Sequence, residues 1–183
     1  MKKMSPVKKI TICAVCIALC YVLPMAFHTF GLGSALSPMH IPVLLCALVC
    51  GGGYGMVCGV VGPVLSCVLS GMPSATALIS MIPELMTYGL VCGLCMHLIR
   101  TRNLFADLYI SLTIAMVIGR VIGGIAKALF YLGTGDRFTI GLWATSYFVG
   151  TAPGIVAQLI VLPILVFTLM KARVIPDRYP KVA

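Results

Sequence analysis

Three charged side chains, Glu84, Arg120 and Lys127, stand inside otherwise apolar stretches of helical length. An ionisable group in hydrocarbon costs roughly 2.5–3.5 kcal/mol on insertion scales, so it persists where it meets a partner, water or a ligand. Arg120, Gly123 and Lys127 follow i, i+3, i+7 spacing, so two cations flank a residue without a side chain on one helical face. Ser80, Glu84 and Tyr88 share a second face, with Thr87 beside it. At 1.5 Å per residue, Glu84 lies about 13 Å and Arg120 about 18 Å in from the outer side, with Lys127 shallower. The groups are level enough to converge. Two arrangements satisfy them. In one, Glu84 and Arg120 form a structural ion pair and Lys127 snorkels outward. In the other, the cations face an externally open cavity, and two cations against one carboxylate leave a surplus of +1. That surplus suits a ligand bearing a carboxylate, a phosphate or an electron-rich ring edge.

Further candidates lie around this cluster. Trp143, Tyr147, Gly150, Thr151, Gly154 and Gln158 form one stripe. Trp143 and Tyr147 suit either an interfacial aromatic belt or a ligand wall, whereas Gln158 suits a hydrogen bond between helices. His28 and His40 flank a Gly- and Ser-rich connection, residues 28–39, able to fold over a site; both histidines fit a polar interface, and His40 joins the ligand-facing candidates.

No catalytic set accompanies these groups. The chain lacks H-E-x-x-H, G-x-S-x-G, paired carboxylates and a Walker A lysine motif, so it is expected to be no enzyme and to carry no cofactor. Nine cysteines include two C-x-x-C pairs, Cys13/Cys16 and Cys92/Cys95, but all lie in apolar helical runs with no histidine at zinc-finger spacing. They read as small hydrophobes, and no metal site is expected.

The elements that must position these residues are membrane helices. The chain is 61% hydrophobic and 9% charged, with a mean hydropathy of +1.12. Apolar runs punctuated by Gly, Pro and charge predict six spans, residues 9–27, 40–50, 55–70, 75–99, 104–132 and 139–170. The second is short, about 16 Å, and is expected to be tilted or half-spanning. Connections are tight: Gly51-Gly52-Gly53, Gly71-Met72-Pro73-Ser74, Arg100-Thr101-Arg102-Asn103 and Gly133-Thr134-Gly135-Asp136-Arg137. The whole chain, 1–183, reads as one membrane-embedded, all-α unit with basic ends at 1–8 and 171–183. An even span count puts both termini on one side. With that side cytoplasmic, ten Lys/Arg are inside and only Arg137 outside, a positive-inside signature that makes anionic lipid, not nucleic acid, the neighbour of the +9 net charge. Small residues recur at Gly51, Gly55 and Gly59, and at Ala14 and Ala18, a spacing that lets helices approach closely.

Taken in order, Ser37-Pro38-Met39-His40-Ile41-Pro42-Val43-Leu44-Leu45, Gly53-Tyr54-Gly55, Gly71-Met72-Pro73, Glu84-Leu85-Met86-Thr87-Tyr88-Gly89-Leu90-Val91 and Gly119-Arg120 resemble the substrate-binding (S) components of energy-coupling factor transporters. The resemblance covers nearly the whole chain. It implies a six-helix protein of the prokaryotic plasma membrane that captures a B-vitamin or related precursor from outside. Such a protein associates with a transmembrane coupling protein and two cytoplasmic ATPase subunits. The family's docking motif on the first helix would fall on Ala14 and Ala18, its ligand-covering loop on residues 28–39, and its ligand contacts on that loop and helices four to six. Those regions hold Glu84, Tyr88, Arg120, Lys127, Trp143 and Tyr147, with His40 directly after the loop. No ligand-specific motif is matched; the surplus cation leans toward an anion such as pantothenate, with pyridoxine or a cobalamin precursor as alternatives. The rival reading is a stand-alone proton-coupled carrier using Glu84.

Overall fold

The computed structural model describes residues 4–29, 37–134 and 139–176. The middle of the expected covering loop, the basic residues Lys2, Lys3, Arg137, Arg178 and Lys181, and the acids Asp136 and Asp177 lie outside them. The helices are α1 (Pro6–Thr29), α2 (His40–Cys50), α3 (Gly52–Ser70), α4 (Ala75–Leu98), α5 (Leu104–Thr134), the short α6 (Ile140–Ala144) and α7 (Ala152–Lys171). Five segments are long and apolar enough to cross a membrane: Pro6–Phe27, Gly52–Ser70, Ala75–Leu98, Leu104–Gly133 and Tyr147–Lys171. Among the described residues there is no strand.

The short second helix is the centre of the molecule. Eight of its 11 residues are buried, and it packs on α1, α3, α4 and α7. A helix packed by four neighbours need not span the hydrocarbon, because protein rather than lipid surrounds it.

Glycine sets the closest contact. A methyl group on Gly89 would strike the backbone of Gly55, one on Gly93 the backbone of Gly52, and one on Gly59 the carbonyl of Leu85. The α3 and α4 backbones therefore touch, which only side-chain-free positions allow. The seam corrects the expected register. Gly51 has open space and a φ of +102°, so it alone turns the chain, while Gly52 and Gly53 are already helical. Gly52 is helical because it must lie against the Leu90 carbonyl of α4.

On α1, Cys13, Cys16 and Cys20 form the buried stripe, and Cys20 lies against Gly62 of α3. Ala14 and Ala18 lie on the opposite, exposed face, among Val7, Ile10, Val15 and Val22. All nine cysteines are free thiols, and the described residues hold no group of metal ligands.

The sixth span differs from a single helix. Between α6 and α7 the residues Thr145–Val149 form a π-helical turn, in which the Gly150 N–H donates to the Thr145 carbonyl at 2.8 Å. Such a turn inserts one residue and shifts the facing of everything after it.

Candidate functional site

A cavity of about 370 Å³ opens over the N-terminal end of α2, among α4, α5 and the π turn. Glu84, Arg120, Lys127, Tyr147, His40 and Thr151 line it. Five of the seven residues singled out for a ligand thus converge here; Tyr88 and Trp143 stand behind the wall.

Glu84 is 7% exposed and Arg120 4%, yet they make no ion pair within 4.0 Å. The structural Glu84–Arg120 pair, one of the two arrangements open to these charges, is absent. Instead the Tyr88 hydroxyl, one turn along α4, donates to Glu84 Oε1 at 2.7 Å. His40 Nε2 approaches the same oxygen at 3.6 Å. His40 Nδ1 lies 3.1 Å from the Ser37 carbonyl, which only accepts, so Nδ1 carries a hydrogen and Nε2 is the nitrogen turned to the carboxylate. The imidazole packs on the Tyr88 ring at 5.2 Å.

The glycines of α5 explain why the carboxylate sits where it does. A methyl on Gly123 would come within 3.0 Å of Glu84 Oε2, and one on Gly119 would overlap the Tyr88 ring. The spacing leaves room between the two cations for another helix or a ligand, and it is another helix, α4, that fills it, with Glu84. A methyl on Gly124 would overlap the Trp143 indole, whose Nε1–H donates to the Arg120 carbonyl at 3.3 Å. Trp143 holds the junction of α5 and α6 and fixes the backbone from which Arg120 projects.

Arg120 and Lys127 are left to aromatic faces. The Arg120 guanidinium carbon lies 5.4 Å from the Phe148 ring centroid and Lys127 Nζ lies 5.5 Å from that of Tyr147. Both contacts are in cation–π range. Neither cation has a carboxylate partner among the described residues. The cavity thus presents two positive groups on aromatic platforms and one carboxylate already engaged by a hydroxyl. It can receive an anionic group at the cations and a hydrogen-bond donor at the free edge of Glu84.

Phe148 escaped the sequence reading. Its only signal is its place beside Tyr147 in a segment facing two cations. Asp107 also went unremarked, although it is fully buried within α5 and accepts hydrogen bonds from the Thr101 N–H at 2.9 Å and hydroxyl at 2.7 Å. Glu84 is therefore not the only carboxylate within a span. Gln158, expected to bridge helices, is fully buried and its amide has no hydrogen-bond partner among the described residues.

Neither a curated relative nor a solved structure matches this sequence. A family model described as "ECF transporter, substrate-specific component" matches residues 8–175, nearly the full length, and the chain therefore belongs to the substrate-specific components of ECF transporters.

Proposed function

We propose that this substrate-specific subunit captures a small anionic B-vitamin or related precursor, pantothenate being the favoured type, in the cavity over α2. Pyridoxine and a cobalamin precursor are the alternatives. Family membership makes the chain a transport subunit of the prokaryotic cell membrane, multi-pass and working with an ECF module. The observation that carries the finer reading is the pair Arg120 and Lys127, both lining one cavity and both without a carboxylate partner among the described residues. The ligand's acidic group meets these cations, and its hydroxyl or amide donors meet Glu84, which Tyr88 holds in place. His40 and Tyr147 close the sides.

In this reading both basic termini are cytoplasmic and the cavity faces outward. Energy comes from two ATPase subunits through a transmembrane coupling protein that docks on the exposed Ala14 and Ala18 of α1. Their small side chains allow another helix to approach. The test is direct. Small molecules retained by the purified chain are identified by mass spectrometry, and the chain is reconstituted alone in liposomes. A bound vitamin acid with no accumulation supports the proposal. Accumulation driven by a proton gradient without ATPases would establish the carrier based on Glu84 instead.

A further inference from the structure

A second hollow, of about 420 Å³, lies at the other end of α2. It exists because α2 stops at Cys50 while the first turns of α1 and the last turns of α4 continue past it. Ala47, Cys50 and Met96 form part of its floor, and Lys9, His97 and Arg100 stand on its walls. We infer that this hollow binds the phosphate headgroup of an anionic phospholipid.

Lys9 is built into the site. It continues the buried stripe of Cys13, Cys16 and Cys20 at i, i+4, i+7, i+11, so it faces inward, unlike Lys8 beside it. The Cys50 thiol donates to the Lys9 carbonyl at 3.6 Å, tying this turn of α1 to the end of α2. Its Nζ lies 5.7 Å from the Tyr54 ring centroid. On α4, Gly93 and His97 face the hollow, Arg100 lines it from just past the helix end, and Gly93 is pressed onto Gly52, which fixes how α4 stands to α3.

Among the described residues no carboxylate answers these cations. Of the two described acids, Glu84 lines the opposite cavity and Asp107 is held by Thr101. The C-terminal ends of α2 and α4 supply partial negative charge, about half a unit each. Against Lys9 and Arg100 this leaves roughly one positive charge, and His97 adds another when protonated. The floor is partly apolar, as an amphipathic molecule requires and a free anion does not. The hollow also lies at the basic end of the helices, where anionic headgroups concentrate under the positive-inside rule. The inference does not depend on the ligand proposed for the other cavity.

The experiment uses the full chain in nonionic detergent, equilibrated with equal amounts of phosphatidylglycerol and phosphatidylcholine and read by native mass spectrometry. Wild type should retain one phosphatidylglycerol in preference. Lys9→Gln with Arg100→Gln should lower that retention about tenfold, and Lys9→Arg with Arg100→Lys should keep it within about twofold. Lys171→Gln with Arg173→Gln removes equal charge outside the hollow and should leave retention unchanged. Thermal unfolding is followed for every variant; should the Gln pair unfold, each single Gln variant is read instead, with a partial loss expected. Unchanged retention in the Gln variants overturns the inference. So does an equal loss in the Lys171/Arg173 pair, which would make the effect general electrostatics. Displacement of the lipid by millimolar inorganic phosphate overturns it as well, assigning the hollow to a free anion.

Discussion

The two ends of α2 carry cavities of similar size and opposite construction. Over its N-terminus, glycines of α5 seat the side chains: Gly123 admits Glu84 into the wall, while Gly119 and Gly124 admit Tyr88 and Trp143 behind it. Below its C-terminus, the hollow is framed by helix ends, and its cations reach in from Lys9, His97 and Arg100. The first cavity is interlocked side chains, suited to discriminating one molecule from its analogues. The second is a charged notch, suited to a chemical class. Polarity alone does not separate them, since each holds at least two cations; among the described residues the difference lies in whether a carboxylate lines the cavity and is held.

Substitutions can break this contrast, beginning with one that should abolish both sides. Gly89→Val would drive a side chain into the Gly55 backbone and part α3 from α4, which both cavities share. Overpacking at backbone contact costs about 3 kcal/mol or more, so the unfolding temperature in detergent should fall sharply, with ligand and lipid retention lost together. Next in size, Ala14→Trp or Ala18→Trp should abolish co-purification of the coupling protein while both cavities keep their affinities within about twofold. Lost ligand binding with intact assembly would move this face of α1 into the ligand site.

Lys127→Ala and Arg120→Ala should each lower ligand affinity about tenfold or more, the loss of one charged hydrogen bond worth about 1.5–3 kcal/mol. Lipid retention at the opposite end should not change. A normally folded Lys127→Ala protein with unchanged affinity would end the cation-lined reading. The smallest effect is expected of Tyr88→Phe, which removes the 2.7 Å bond to Glu84 and nothing else from the wall. Isothermal titration should show a loss of about threefold to tenfold, roughly 1 kcal/mol, with stability nearly kept.

Much of this was legible in the chain. Six spans follow from apolar runs and their punctuation, and α2 and α4 begin at the residues where the sequence places them. The meeting of Glu84, Arg120 and Lys127 was legible because charge within a membrane is rare enough to mark a site. What the sequence hid is pairing. Opposite charges suggested that Glu84 holds Arg120, but Tyr88 lies on the same helix one turn away and needs no help from tertiary packing to reach it. The spacing of Arg120, Gly123 and Lys127 gave the face correctly and left its occupant open between a helix and a ligand, since a glycine marks close approach without naming what approaches. The π turn carried no sequence signal, so the stripe from Trp143 to Gln158 was drawn on a regular helix. Lys9 read as one of ten basic residues at the ends, because its inward facing depends on the Cys13–Cys16–Cys20 stripe being the buried one.

The brevity of α2 has an electrical consequence. Its 11 residues, about 16 Å of protein, separate the two cavities, where an ordinary bilayer core is about 30 Å thick. Water conducting into both hollows would confine the membrane potential to that septum and nearly double the field within it. Moving a full charge across it would still take about 2.3 kcal/mol per 100 mV, but over half the distance. A small displacement of a charged group at either end of α2 would therefore register as a large fraction of the transmembrane voltage.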